Sequence, residues 1–481
     1  MKLEMTWKRG ILAFIALLVA FVALEAIAWL RPKPKLEVGR DTTWLTGPLD
    51  ANGNVDYDAA WRAEHSPGVT AANNAAPLVY AVLEFDLSTF TAEERAAVPK
   101  VGPPFQEFEA WARTNGGLFA KPADPKHDGE YEALRSIEAG EVHGPQERAI
   151  AAWFGSIGPS LAVVQDAAGR ERFYAANSAP RSEQSKSYWA VMDVAKALAF
   201  RAHRRANSED LDAACTDLCT LLRLARLIRS MGGQLHCLVG TGCESCLWET
   251  LRSISKEHSP LPADFARRLY ESRDTTPVDA TIETWLASDR ISALHTFEYL
   301  REHDFEWFKI FSRLDPNRLN RGITAWSDRV AAAWTDPRGW SARLEAVDDL
   351  YREVRLLRRS RDDDSVIWFL LRGPASSADW FAERFGSVQA SNAIFVAEFL
   401  GDFANEDRLL AESAAAAFAK QSGRDPESSD ELTPSIFPTP FRDRLFGASV
   451  HFTRDANHAW VATGALVDLL ARIDDLGKRR E

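Results

Sequence analysis

The sequence predicts a mainly α protein: an N-terminal transmembrane or signal-anchor helix, a multi-helix body of αα-hairpins, and a small C-terminal β-hairpin. Three observations carry this. Apolar residues recur at helical spacing through much of residues 187–420. Period-two alternation is scarce in residues 41–180. Residues 10–30 are apolar apart from Glu25.

The chain has 481 residues, enough for two to three folding units, with 46% apolar residues and 16 Trp to build cores. Residues 1–40 hold seven Lys/Arg and three acids, so of the net −12 the remainder carries −16. An acidic body repels phosphate backbones, which excludes nucleic acid as an expected partner. The basic N-terminal segment suits an anionic membrane surface.

A helix over residues 10–30 rises about 31 Å, enough to cross a bilayer core. One reading is an uncleaved anchor, with Trp29 at the interface. The other is a signal peptide, with Lys8-Arg9 before an apolar Ile11–Leu24 and cleavage at Ala26-Ile27-Ala28. The expected partner of residues 10–30 is thus the lipid bilayer, with a single pass and an extracytoplasmic body. The alternative is a periplasmic or secreted chain cut near Ala28. Arg31-Pro32-Lys33-Pro34-Lys35 opens a stiff extended linker, residues 31–40.

Residues 41–180 read as a region of short helices. Asp56 is a plausible N-cap for a helix over Tyr57–His65, and Ala71–Leu83 reads as a second helix. Pro103-Pro104 and Asn115-Gly116-Gly117 interrupt, and Ile150–Phe154 and Leu161–Ala168 are separate apolar helices.

Residues 181–420 are the helical domain. Ser208 reads as an N-cap, and Leu211, Cys215, Leu218, Leu222 and Ala225 follow at helical spacing. Arg223, Arg226 and Arg229 occupy the last turns before Gly232-Gly233. Flanking helices over Tyr188–Arg205 and Leu235–Lys256 complete consecutive αα-hairpins, without the fixed period of a repeat array. Further helices are expected over 262–274, 278–301, 341–359, 379–386 and 390–419. Residues 421–481 change character: a Pro/Ser/Asp-rich stretch, a hairpin of Ser449–Thr453 with Ala459–Thr463, and a closing helix Leu466–Leu476.

Several stretches also resemble one another's counterparts in a known family. These are Gly53-Asn54-Val55-Asp56-Tyr57, Gly68-Val69-Thr70 with Asn73-Asn74-Ala75-Ala76, and Ala152-Trp153. Arg170–Tyr174, the Arg201–Arg226 hairpin, Asp315-Pro316-Asn317, Ala325–Asp328 and Pro426–Pro434 continue the series. Together they resemble a family of bacterial membrane-anchored or secreted helical proteins of unknown function. The resemblance implies a single-pass or secreted helical protein, and it carries no catalytic residues. The family's Pro-x-Asp-x-Phe turn is altered here to Pro438-Thr439-Pro440-Phe441-Arg442-Asp443.

All five cysteines lie within 32 residues, beside His236. If Gly232-Gly233 turns an antiparallel hairpin, Cys219 lies 13 residues before it, and Cys243 and Cys246 lie 11 and 14 after. Those three fall at one level. A disulfide of Cys219 with Cys243 or Cys246, or a thiolate metal site of the same three, are the functional readings. The plainer reading makes the cysteines, Gly240 and Gly242 small residues that let two helices approach closely.

His295, Glu298 and Glu302 share one helix face, as a hard-metal or acid/base candidate set; a salt-bridged face is the alternative. Asp50–Asn54 mimics the start of a calcium loop, but Val55 stands where Gly is needed, so a turn before a helix is expected. Trp307, Trp326, Trp334 and Trp340 are expected in cores or at helix interfaces. Searches for phosphate loops, Rossmann glycines, G-x-S-x-G and H-E-x-x-H come back empty, and no cofactor is expected. The first functional expectation is therefore a non-enzymatic, envelope-located interaction or scaffold protein presenting a helical groove to a protein or peptide. The alternatives are an envelope hydrolase with dispersed acid/base residues and a Cys-centred redox or metal module.

Overall fold

A computed structural model describes residues 35–100, 102–106, 110–111, 145–175, 182–231, 234–273, 278–302, 314–359, 373–443, 445–446, 448–455 and 460–478, with Val19 and Ala23. The expected membrane segment, residues 10–30, otherwise lies outside them. Among the described residues no helix is long and apolar enough to cross a membrane.

The described chain is mainly helical, with 13 helices and one two-stranded antiparallel sheet. The helices are α1 Tyr57–His65, α2 Ala76–Val82, α3 Ala92–Ala96, α4 Pro145–Ala168, α5 Ser182–Asn207, α6 Leu211–Arg229 and α7 Gln234–Glu257. There follow α8 Ala263–Ser272, α9 Val278–Glu302, α10 Pro316–Trp334, α11 Trp340–Arg359, α12 Gly373–Ser422 and α13 Ala465–Lys478. The strands are β1 His451–Arg454 and β2 Trp460–Thr463, between α12 and α13.

Two compact units divide the chain: Met1–Trp61 with Leu286–Val396, and Arg62–Trp285 with Ala397–Glu481. Each collects pieces distant in sequence.

The first unit is built on α10 and α11, which pack together. Its core holds Tyr57, Leu294, Phe297, Leu319 and Ile323, with Trp44 and Leu45 packed against it. Asp315 caps α10 by accepting from the Asn317 and Arg318 amides, and Pro316 sits in the first turn, where its missing N–H costs nothing. The expected linker over 31–40 is docked onto this helix from Lys35 onward. The Asn317 side chain donates to the Lys35 carbonyl at 3.0 Å and accepts from the Glu37 amide at 2.8 Å, in the manner of a neighbouring strand. Arg321 then pairs with both Glu37 and Asp41.

The second unit is centred on α5, α6 and α7, which pack pairwise. Helix α6 is its middle: Leu218, Leu221, Leu222, Leu224 and Ala225 are fully buried along one broad face, while Thr216 is exposed and Arg223 half-buried on the opposite side. α8 and α4 cover α6, and α2 packs on α4. The N-cap of α6 is Asp210, whose carboxylate accepts from the Ala213 amide, rather than Ser208. Gly240 on α7 allows the close approach: a Cβ there would stand 2.4 Å from Arg229 Cγ and 2.9 Å from the Ala225 carbonyl oxygen. The strands pair with Arg454 opposite Trp460 and Phe452 opposite Ala462, and α13 packs on β2.

Candidate functional site

The candidates singled out by spacing do not assemble as one site. His295 on α9 stands with Nε2 3.9 Å from Asp58 Oδ1, its ring 6.0 Å from that of Tyr57. Glu298 is buried and accepts from Asn320 Nδ2 at 3.3 Å. The Tyr57 hydroxyl donates to the Thr43 carbonyl, and burial, then the Glu298 charge, pushes its phenol well above the usual range. This face of α9 packs into the core of the first unit; the Glu302 side chain lies outside the described residues. Among the described residues no group of three or more His, Cys, Asp or Glu could hold a metal ion.

None of the five cysteines is joined in a disulfide. The expected pairing of Cys219 with Cys243 or Cys246 is replaced by a contact one turn away: Cys215 and Cys219 have their sulfurs 3.8 Å apart along α6. Cys243 instead meets Met192 Sδ at 3.8 Å. The Cys215 hydrogen bond holds the Cys219 thiol below its ordinary range, and the same contact raises Cys215. Cys243 is raised by burial.

The other motifs are structural. Asp50 Oδ1 accepts from the Asn52 and Asn54 amides, the turn expected before α1. Asp56 caps α1 through the Ala59 amide. Trp326, Trp334 and Trp340 are buried, and Trp307 lies outside the described residues.

A cleft of about 890 Å³ lies among the described residues of the second unit. One wall is the C-terminal end of α7: Arg252, Ser255 and Lys256, continued by Ser259. Ser255 and Lys256, three and four residues after Arg252, share its helical face, and Ser259 lies just past the end of the helix. The other wall is the last turns of α12, where Ser413, Ala416 and Ala419 are too small to fill the space and Lys420 stands at the end. The hairpin closes the third side with Arg454 and Trp460, and Asp425 lies in the chain that leaves α12.

Each carboxylate of the cleft has a structural task. Asp425 accepts from Arg454 Nε at 2.9 Å and Nη2 at 2.6 Å, a bidentate pair that keeps its carboxyl below the usual range. The same guanidinium lies 4.4 Å over the Trp460 ring, as their pairing across the hairpin requires. Glu412 accepts from the Ala462 amide at 3.0 Å; burial raises its carboxyl, against that hydrogen bond and the charges of Arg408 and Arg252. By contrast, Arg252, Lys256 and Lys420 have no hydrogen-bonded or ion-paired partner among the described residues. The Ser255 hydroxyl oxygen is buried and unpartnered.

None of these residues was a candidate from sequence. The face Arg252/Ser255/Lys256 and the small-residue stripe on α12 are each visible in the sequence, but a stretch of more than 150 residues separates them. No protein-family model matches the chain, and neither a curated protein nor a solved structure is significantly similar to it.

Proposed function

We propose that the protein is a non-enzymatic, membrane-tethered helical binding protein, its body outside the cytoplasm, and that the cleft of the second unit holds its ligand. The observation that carries this reading is the cleft: the α7 face of Arg252, Ser255 and Lys256 and the small-residue stripe of α12 line one concavity beside a hairpin carrying an aromatic ring. Its volume falls within the range of roughly 300–1,000 Å³ common for small-molecule sites. A small ligand therefore fits better than the protein or peptide groove first expected. The carboxylates support binding rather than hydrolysis, since Asp425 and Glu412 are engaged by Arg454 and the Ala462 amide. For the tether, the support is the apolar run of residues 10–30 between basic flanks.

The full chain in zwitterionic lipid nanodiscs, titrated calorimetrically with naphthol, tests the cleft. Saturable binding that disappears in Ala416→Trp, a substitution that fills the cleft, is the expected result. Equal binding by both proteins discards the cleft. The tether is tested by alkaline extraction of cells: uncut full-length chain released with the soluble interior proteins would refute it.

A further inference from the structure

The charges lining the cleft specify a ligand class, an inference that rests on the cleft being a binding site. Four cations (Arg252, Lys256, Lys420, Arg454) face two carboxylates (Glu412, Asp425), so the lining is positive in a chain whose net charge is −12. Arg454 is neutralised by Asp425. Glu412 is held by the Ala462 amide, under the opposing charge of Arg252 and of Arg408 beside the cleft. Lys256 and Lys420 therefore remain unmatched, with Arg252 only partly offset.

Arg252, Lys256 and Lys420 are exposed where they line the cleft, open to an anion arriving from solvent, and charges of one sign along a concave wall raise the local concentration of the opposite ion. One monovalent carboxylate offsets less than half of this charge, whereas a phosphate monoester carries about −1.5 to −2 at pH 7 and three acceptor oxygens. Arg252 and the two lysines supply donors for those oxygens, and the unpartnered Ser255 hydroxyl supplies another. Most of the remaining lining is apolar, with Leu409, Ala416, Ala419, Pro260 and the ring of Trp460 beside Ser259, Ser413 and Gly423. A hydrated inorganic ion leaves that surface uncovered. We propose that the ligand is an amphipathic organic phosphate, its head among Arg252, Lys256, Lys420 and Ser255, and its apolar body between the α12 stripe and Trp460. Phospholipid head groups and soluble organic phosphates share this chemistry.

The test compares naphthyl phosphate, naphthoate and naphthol, whose apolar bodies match, on the full chain in zwitterionic nanodiscs. Naphthyl phosphate is expected to bind about tenfold tighter than naphthoate, and naphthoate tighter than naphthol, with a preference that shrinks as salt is added. In the triple variant Arg252→Gln, Lys256→Gln, Lys420→Gln, naphthyl phosphate should fall to within about twofold of naphthol measured on that same protein. An unchanged thermal melt shows that this variant is folded, and each single Gln variant gives a partial loss if it is not. Naphthol binding without preference for the phosphate, or a preference that survives the triple variant, overturns this inference and leaves the cleft standing. Failure of all three probes overturns both. Displacement of naphthyl phosphate by glycerol phosphate assigns a soluble ligand, and displacement by short-chain phosphatidylglycerol alone assigns a lipid head group. Displacement by neither overturns the organic-phosphate assignment.

Discussion

Burial holds the Asp289 carboxyl up at about 7, from an ordinary 3.8, and so sets a pH signature for the first unit. The unfolded chain releases this proton above pH 3.8, while the folded chain keeps it until about 7. Within that window the folded state binds more protons, so this group's contribution falls as pH rises and is fully lost above 7. Asp289→Asn replaces the neutral acid with a neutral amide. Urea denaturation should find the variant more stable than the parent at pH 8, on the order of 2–4 kcal/mol, and nearly equal to it below pH 4. A stability difference independent of pH would refute the assignment. Asp217 shows the opposite solution for a buried acid. It is fully buried on α6, but Arg201 grips it with two hydrogen bonds, Arg205 adds a third and Gln165 a fourth. Neither acid stood out in the sequence. A lone Asp within an apolar helical pattern does not announce whether arginines from other helices will reach it.

At the scale of elements, helix periodicity was the dependable signal, and interruptions were the misleading one. The helices over Tyr57–His65, 278–302, 340–359 and 465–478 fall close to the positions read from spacing, as does the hairpin. Ile150–Phe154 and Leu161–Ala168 were read as two short helices, yet the single helix α4 runs from Pro145 to Ala168 with Pro159 inside it. Tertiary contacts compensate. Ser160 Oγ donates to the Pro103 carbonyl, Trp153 Nε1 donates to the Gln106 carbonyl, and Gly102 leaves room for the proline ring. The two helices expected over 379–386 and 390–419 are likewise the single helix α12. Helix α10 was missed altogether, because its Asp315-Pro316 start looks like a turn until the cap is seen. Arg229 was read only as a residue of the last turns, but it is buried against Glu244 and lies 4.8 Å over the Phe403 ring. The missing side chain of Gly240 makes room for it. Gly240→Ala should therefore cost about 1–3 kcal/mol by overpacking, although alanine is the better helix former. Equal or greater stability in urea would show that α6 and α7 have room to spare.

At the scale of the whole molecule, the two units draw on separate stretches of chain and separate cores. Asp289 belongs to one and Gly240 to the other. Substitutions that share no partners add, within about 0.5 kcal/mol. The double variant Asp289→Asn, Gly240→Ala is thus expected to show the sum of the single effects at pH 8. A larger departure would mean that the two sites are coupled.

The sequence by itself determined the helical class, the terminal hairpin, most helix positions and the acidic character of the body, because these depend on spacing, composition and local turn chemistry. Only the tertiary structure decided that Cys219 sits beside Cys215, that His295 faces a core, and which helix faces form the cleft. The reason is physical: each wall of that cleft is an unremarkable stripe of small or charged side chains. Its meaning depends on which distant stripe folds opposite to it, and local spacing does not encode that choice.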